Sequence, residues 1–193
     1  MPDARHANLL EPEALVELFL RHPPQGFAAA SEADLPVFGT DFDLLTTLEP
    51  AILVKIRRLP LFGLWSRLLR FPARFAGTTA TEYAPLPKGL EPGALLDGFR
   101  ERCAAGQSLL IVKDVPEVSP LLGAGDNEAA MRLARIAPDK GFIVVEGQAL
   151  AYVPIDFSST DEYLSRLSKS RRKNLRRKLK SRERLDIEAV PLG

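Results

Sequence analysis

A chain of 193 residues with 46% hydrophobic content can bury a core as one domain, and its 26 Lys and Arg against 25 Asp and Glu leave a formal charge of +1. That near-neutrality hides an asymmetry: residues 166–184 hold 11 basic residues and one acid, Glu183, and the remainder carries 15 basic against 24 acidic. A uniformly basic nucleic-acid coat is excluded, and one localised anion-facing or partner-facing element is expected late in the sequence.

The single Cys103 cannot form an internal disulfide, and no C-x-x-C or Cys/His cluster offers a zinc site. His6 and His22 alone could build triad or metal chemistry, and at the N-terminal end they read as surface histidines. Acids at Asp3, Glu11, Glu13 and Glu17, with no basic stretch leading into an apolar run, predict no secretory signal and a cytoplasmic protein.

In chain order, Asn8 with Glu11 and Pro12 predicts the start of a helix over "EPEALVELFLRH", with Leu15, Leu18 and Phe19 on one face and His22-Pro23-Pro24 ending it. "VFGTDFDLLTTL" reads as a strand and bend. "LPLFGLWSRLLRFPARF", residues 59–75, is broken by Arg67, Arg70 and Arg74 well short of a span of roughly 20 apolar residues. It is expected to pack Leu64, Leu68 and Phe71 on the core, the rival being an interfacial segment anchored by Trp65 and Phe71.

"RFAGTTATEYAPLP" alternates Phe75, Thr79, Thr81 and Tyr83 as a strand closed by prolines, "PGALLDGFRERCAAG" is a helix ending at Gly106, and "SLLIVKDV" is a short buried strand. "GAGDN", residues 123–127, lacks the third glycine of a dinucleotide loop and reads as a loop or cap before the helix "DNEAAMRLARIA". "GFIVVEGQALAYVPIDF" predicts a hairpin turning at Glu146-Gly147-Gln148. Ser159 with Glu162 forms a capping box that opens one long helix at about Thr160, running roughly six turns. "LDIEAVPL" predicts a last strand, an open edge or one that pairs with another chain. Strands and helices in this order predict an α/β (α+β) fold, a mixed sheet with helices packed on it.

At about 100° per residue, a single helix from Thr160 sets Leu164, Leu167, Leu175 and Leu179 on one face. Arg166, Lys169, Lys173, Arg176, Arg177, Lys180 and Arg184 lie opposite. Arg171 falls among the leucines, where an unpaired guanidinium is costly, so it is expected to hold a carboxylate or a ligand phosphate. The basic face has three readings: a solvated surface, a site for RNA, DNA or a polyanionic ligand, and a docking face for an anionic membrane or acidic partner.

The run Asp161-Glu162-Tyr163-Leu164, Leu167-Ser168 and Ser170-Arg171-Arg172-Lys173-Asn174-Leu175-Arg176-Arg177, preceded by "FIVVEGQALAYVPIDF", resembles Fem-type, peptidoglycan-bridge-like acyltransferases of the GNAT superfamily. "GTTATEYAPL" is similar to a strand segment those proteins carry upstream. The resemblance implies a GNAT-like, mainly antiparallel mixed sheet flanked by helices, and acetyl or aminoacyl transfer to an amine. It implies a single GNAT-like domain over residues 1–193, the first half of a longer two-half protein truncated at its C-terminal end. The missing half or a homodimer partner is then expected.

One departure stands out: the acyl-CoA pyrophosphate loop of that superfamily, Q/R-x-x-G-x-G/A, has no counterpart here, Pro120 standing where the Gln or Arg before "GAG" belongs. Acetyl-CoA or another acyl donor is therefore expected for the full-length protein and none for this chain alone. Acyl transfer needs a base for the attacking ammonium, and the candidates are Glu82 and Glu146. The anion- or substrate-binding candidates are Arg171, Arg172, Lys173, Arg176, Arg177 and Lys180, with no metal ligands. The alternative function is a non-catalytic module that binds RNA or an acidic partner through residues 160–184.

Overall fold

The computed structural model describes residues 5–89, 91–182, 184–186 and 188. The chain divides into two compact units, residues 1–149 and 150–193.

The first unit runs β1 (His6–Ala7), α1 (Glu13–Arg21), β2 (Ala28–Glu32), β3 (Leu35–Asp43), α2 (Pro50–Arg57), α3 (Phe62–Trp65), β4 (Arg70–Ala76), β5 (Leu86–Pro87), α4 (Pro92–Cys103), β6 (Leu109–Val112) and α5 (Ala124–Ile136). Its main sheet has the order β2-β3-β4-β6, with β2-β3 and β3-β4 antiparallel and β4-β6 parallel. The mixed, mainly antiparallel sheet flanked by helices is thus present. A parallel neighbour needs a crossover connection, and α4 supplies it. That helix starts well: Pro92 takes its first turn, and the Glu91 carboxylate accepts from the backbone N–H groups of Gly93 at 2.7 Å and Ala94 at 3.1 Å.

Period-2 alternation shares each central strand between two cores. Leu35 and Val37 of β3, Ala76 of β4, and Leu110 and Val112 of β6 pack with Leu95, Leu96 and Phe99 of α4 and Leu133 of α5. Phe38 of β3, Ala73 and Phe75 of β4, and Leu109 and Ile111 of β6 pack with Phe19 of α1 on the other side. Phe38 and Phe75 are register partners across β3 and β4, and their rings stack with centroids 4.7 Å apart, which contributes roughly 0.5–1.5 kcal/mol beyond burial.

β2 escapes sequence reading because Ala28-Ala29-Ala30-Ser31-Glu32 has little β character. Its hairpin with β3 closes on Ala33 and Asp34, both at positive φ (50° and 63°), the twist a two-residue turn requires without the usual Asn-Gly signal.

Four expectations are corrected. Residues 142–157 form no strand, so the predicted hairpin around Glu146 is absent, and Ile143 and Val145 lie exposed. The "RFAGTTATEYAPLP" strand stops at Ala76, because Gly77 turns the chain at φ 124° and residues 77–85 are turn and loop. Leu64 and Leu68 do not reach the core: they stand exposed on α3 and the 3-10 turn Ser66–Leu69, and Phe71 is in β4. The α1 capping box is not made: Pro12 precedes the helix without a side-chain cap, Asn8 is buried at φ 58°, and the Glu11 carboxylate accepts from the Glu82 N–H at 3.0 Å.

The second unit holds α6 (Thr160–Arg166) and α7 (Lys169–Arg182). The Ser159 hydroxyl accepts from the Glu162 N–H at 3.1 Å, as a capping box predicts, while the Glu162 carboxylate reaches back to the N–H and hydroxyl of Ser158, both at 2.8 Å. The single long helix does not form. Leu167 is extended (φ −84°, ψ 153°), and Ser168 opens α7, its hydroxyl accepting from the Arg171 N–H at 3.4 Å. The predicted terminal strand falls partly on residues 187 and 189–193, which lie outside the described residues; 184–186 and 188 carry no strand.

Candidate anion-binding site

The break at Leu167 resets the helical phase, so Leu164 and Leu167 do not continue the side of α7 that holds Leu175 and Leu179, with Arg171 about 40° from Leu175. Arg171 is exposed, with no carboxylate partner among the described residues, which corrects the expectation that it sits in an apolar stripe. Within α7 alone, Leu175 is half-buried and Leu179 exposed.

α7 reads KSRRKNLRRKLKSR: nine of its 14 residues are basic and none is acidic. At about 100° per residue, Lys169, Arg172, Lys173, Arg176, Arg177 and Lys180 fall within an arc of roughly 140°. All are exposed except Arg172, which is half-buried with its guanidinium 3.5 Å from the Ser165 carbonyl. Arg177 donates to the Asn174 side chain at 3.2 Å, and none of the six forms an ion pair among the described residues. Six like charges held on one helix face without counter-charge repel one another, and the repulsion is relieved when an anion binds.

Five of the six sequence candidates lie on that arc: Arg172, Lys173, Arg176, Arg177 and Lys180. Lys169, on the basic face by sequence but not among the binding candidates, joins them as the first residue of α7. Charge is handled differently just upstream: Arg166 donates to the Asp156 and Glu162 carboxylates, both at 2.6 Å. The Ser158 backbone N–H, the Ser158 hydroxyl and Arg166 lower the Glu162 carboxyl from 4.5 to about 2, and Glu162 raises Arg166 in turn. Satisfied pairs on α6 thus give way on α7 to cations without an ion pair among the described residues.

Both candidate bases lie at the surface. Glu82 follows β4 in an exposed turn, where its backbone rather than its carboxylate is bonded, and Glu146 is exposed in the strandless segment. Neither carboxylate has a partner among the described residues. The neighbours of Glu82 form a structural network instead: the Thr78 hydroxyl accepts from the Ala80 and Thr81 N–H groups at 3.1 and 3.0 Å, Lys113 donates to the Thr78 carbonyl at 2.9 Å, and the Tyr83 hydroxyl donates to Ser119 at 2.9 Å.

His6, expected at the surface, is buried: Nδ1 meets the Glu13 carboxylate, and Nε2 meets the Asp34 carbonyl at 2.8 Å. Both ring nitrogens are thus engaged, one by α1 and one by the β2-β3 turn. Its role is to tie α1 to the β2-β3 turn. Cys103 is also buried, and desolvation, ahead of the Glu32 charge, raises its thiol. Among the described residues, no cluster of three or more His, Cys, Asp or Glu side chains could hold a metal ion, and no helix is long and apolar enough to cross a membrane.

Comparison with protein-family profiles, with curated proteins and with solved structures finds no significant match to this chain.

Proposed function

We propose that α7 binds the phosphates of a nucleotide-borne partner, and that this partner is the acyl or aminoacyl donor of a GNAT-like N-acyl transfer to an amine. The observation that carries the reading is the arc of six cations without an acid or an ion pair among the described residues. A 14-residue helix is about 21 Å long, enough to meet several phosphates at once. Arg172, Arg176 and Arg177 offer planar forks to phosphate oxygens, and Lys169, Lys173 and Lys180 offer point charges. The mixed sheet with its α4 crossover is compatible with the GNAT-like half that the sequence resembles. Because these 193 residues hold no Q/R-x-x-G-x-G/A loop, no steady turnover is expected of the chain, and α7 supplies only part of the phosphate contacts that a complete donor site would make.

The second reading, a non-catalytic module for RNA or an acidic partner, is favoured by one observation: Glu82 and Glu146 are exposed carboxylates without a partner among the described residues. Titrating the chain with coenzyme A, tRNA and heparin separates the two. Coenzyme A that binds near physiological salt, is displaced by heparin and is weakened by R176Q/R177Q/K180Q supports the donor reading. RNA binding with no competition from coenzyme A or an aminoacyl donor supports the module. No binding of any polyanion at low salt refutes both and leaves α7 a solvated face.

A further inference from the structure

A different surface, in the first unit, presents apolar side chains and cations together. Twelve of residues 50–69 are Ala, Val, Ile, Leu, Phe or Trp, yet no residue of α2, α3 or the turn Ser66–Leu69 is buried. Leu61, Leu64 and Leu68 are 74%, 67% and 76% exposed, with Ile52, Val54 and Leu59 exposed beside them. So many exposed large apolar side chains in one short segment mark an interaction site.

The charge on the same segment has one sign. No Asp or Glu occurs between Glu49 and Glu82. Lys55, Arg57, Arg58 and Arg67 are exposed without an ion pair among the described residues, and Arg70 has only the Asp43 carboxylate at 3.4 Å. Arg57 and Arg70 also line a cleft of about 190 Å³ whose walls include Leu53 and Phe62.

We infer that residues 50–69 dock this protein on an anionic lipid bilayer, Leu59, Leu61, Leu64 and Leu68 entering the acyl boundary and Lys55, Arg57, Arg58 and Arg67 meeting lipid phosphates. The pairing of features selects the occupant. A second copy would bring four unpaired cations against their equals, and a nucleic acid would leave the leucines in water. An anionic interface satisfies both halves of the surface. The segment is built to lie in that interface rather than to cross it: α3 has four residues, and Pro60 and Gly63 interrupt the helical run.

The test uses a reporter already in place, because Trp65 is the only tryptophan, with its indole N–H donating to the Pro60 carbonyl at 3.1 Å. Its emission should shift to the blue, and be quenched by brominated acyl chains, on vesicles of phosphatidylglycerol with phosphatidylcholine but not on phosphatidylcholine alone. L61S/L64S/L68S should lower partitioning about tenfold or more, a decade being about 1.4 kcal/mol, with an unchanged urea midpoint since these side chains are already exposed. Replacing Lys55, Arg57, Arg58 and Arg67 by Gln should abolish the preference for anionic vesicles. The inference does not rest on α7, so R176Q/R177Q/K180Q should keep the Trp65 shift. It is overturned by unshifted emission on anionic vesicles, by equal binding to neutral ones, or by a concentration-dependent blue shift without lipid, which would identify a second copy. Vesicle binding that survives L61S/L64S/L68S and is lost in the α7 variant would overturn it as well.

Discussion

Replacing Arg176, Arg177 and Lys180 by Gln is the sharpest perturbation of the proposed anion-binding face. If all six cations of the arc neutralise duplex phosphates, the logarithm of affinity should fall against the logarithm of salt with a slope of about −5.4, at roughly 0.9 per phosphate. Removing three leaves about −2.7. From 50 to 200 mM salt, the parent chain should then lose about three decades of affinity and the variant under two, by the same relation. Fluorescence anisotropy of a labelled duplex DNA across a salt series reads both slopes. Stability should stay within about 0.5 kcal/mol, because all three side chains are exposed and unpaired among the described residues. An unchanged slope in the triple variant, with binding intact, would refute the assignment of these residues to the phosphates.

Arg171→Leu should change the urea midpoint by no more than about 0.5 kcal/mol in stability, since Arg171 is exposed; a loss of several kcal/mol would restore the buried ion pair that the sequence predicts. Phe99→Ala, at a fully buried ring among Leu35, Leu96 and Leu133, should cost about 3–5 kcal/mol in denaturant unfolding. Glu162 is lowered from 4.5 to about 2, so its contribution to the α6 start is fully present above pH 4.5 and is lost as pH falls through about 2. Carboxyl NMR shifts of Glu162 should therefore titrate near the lower value, and a midpoint at 4.5 would remove the Ser158 and Arg166 bonds from the account. Cys103, buried with a raised pKa, should react with a thiol reagent at neutral pH only as the chain unfolds.

What could be read from the sequence follows from where the folding signal lies. α4 carried its own start, with Glu91 and Pro92, and its own stop before Gly106, so its reading needed nothing distant. β6 and α5 were equally legible, bounded by Ser108 on one side and Pro138 on the other. Residues 50–69 gave the opposite result. Their spacing of leucines is the same whether the apolar face meets a core or a lipid surface, and periodicity alone cannot choose between them. His6 reads as a surface histidine for a related reason: its burial depends on Glu13 and Asp34, contributed by a helix and a turn that only the fold brings to it.

The basic helix shows how one missed residue can reverse an electrostatic argument. Ser168 precedes Lys169-Ser170-Arg171 much as Ser159 precedes Thr160-Asp161-Glu162, and its hydroxyl accepts from the N–H three residues on, as an N-cap does. That second cap was in the sequence. Reading through it carries the phase of α6 into α7 and joins Leu164 and Leu167 to Leu175 and Leu179 in one stripe, which makes the side of α7 that holds Arg171 read as buried. With the helix restarted at Lys169 that stripe is broken: Arg171, still about 40° from Leu175, stands in water because Leu175 is only half-buried and Leu179 exposed, and the six cations of the arc have no ion pair among the described residues. The salt slope measures that count directly: a parent chain losing well under three decades between 50 and 200 mM would mean that fewer than six of these side chains reach phosphate, by the roughly 0.9 each contributes on a duplex.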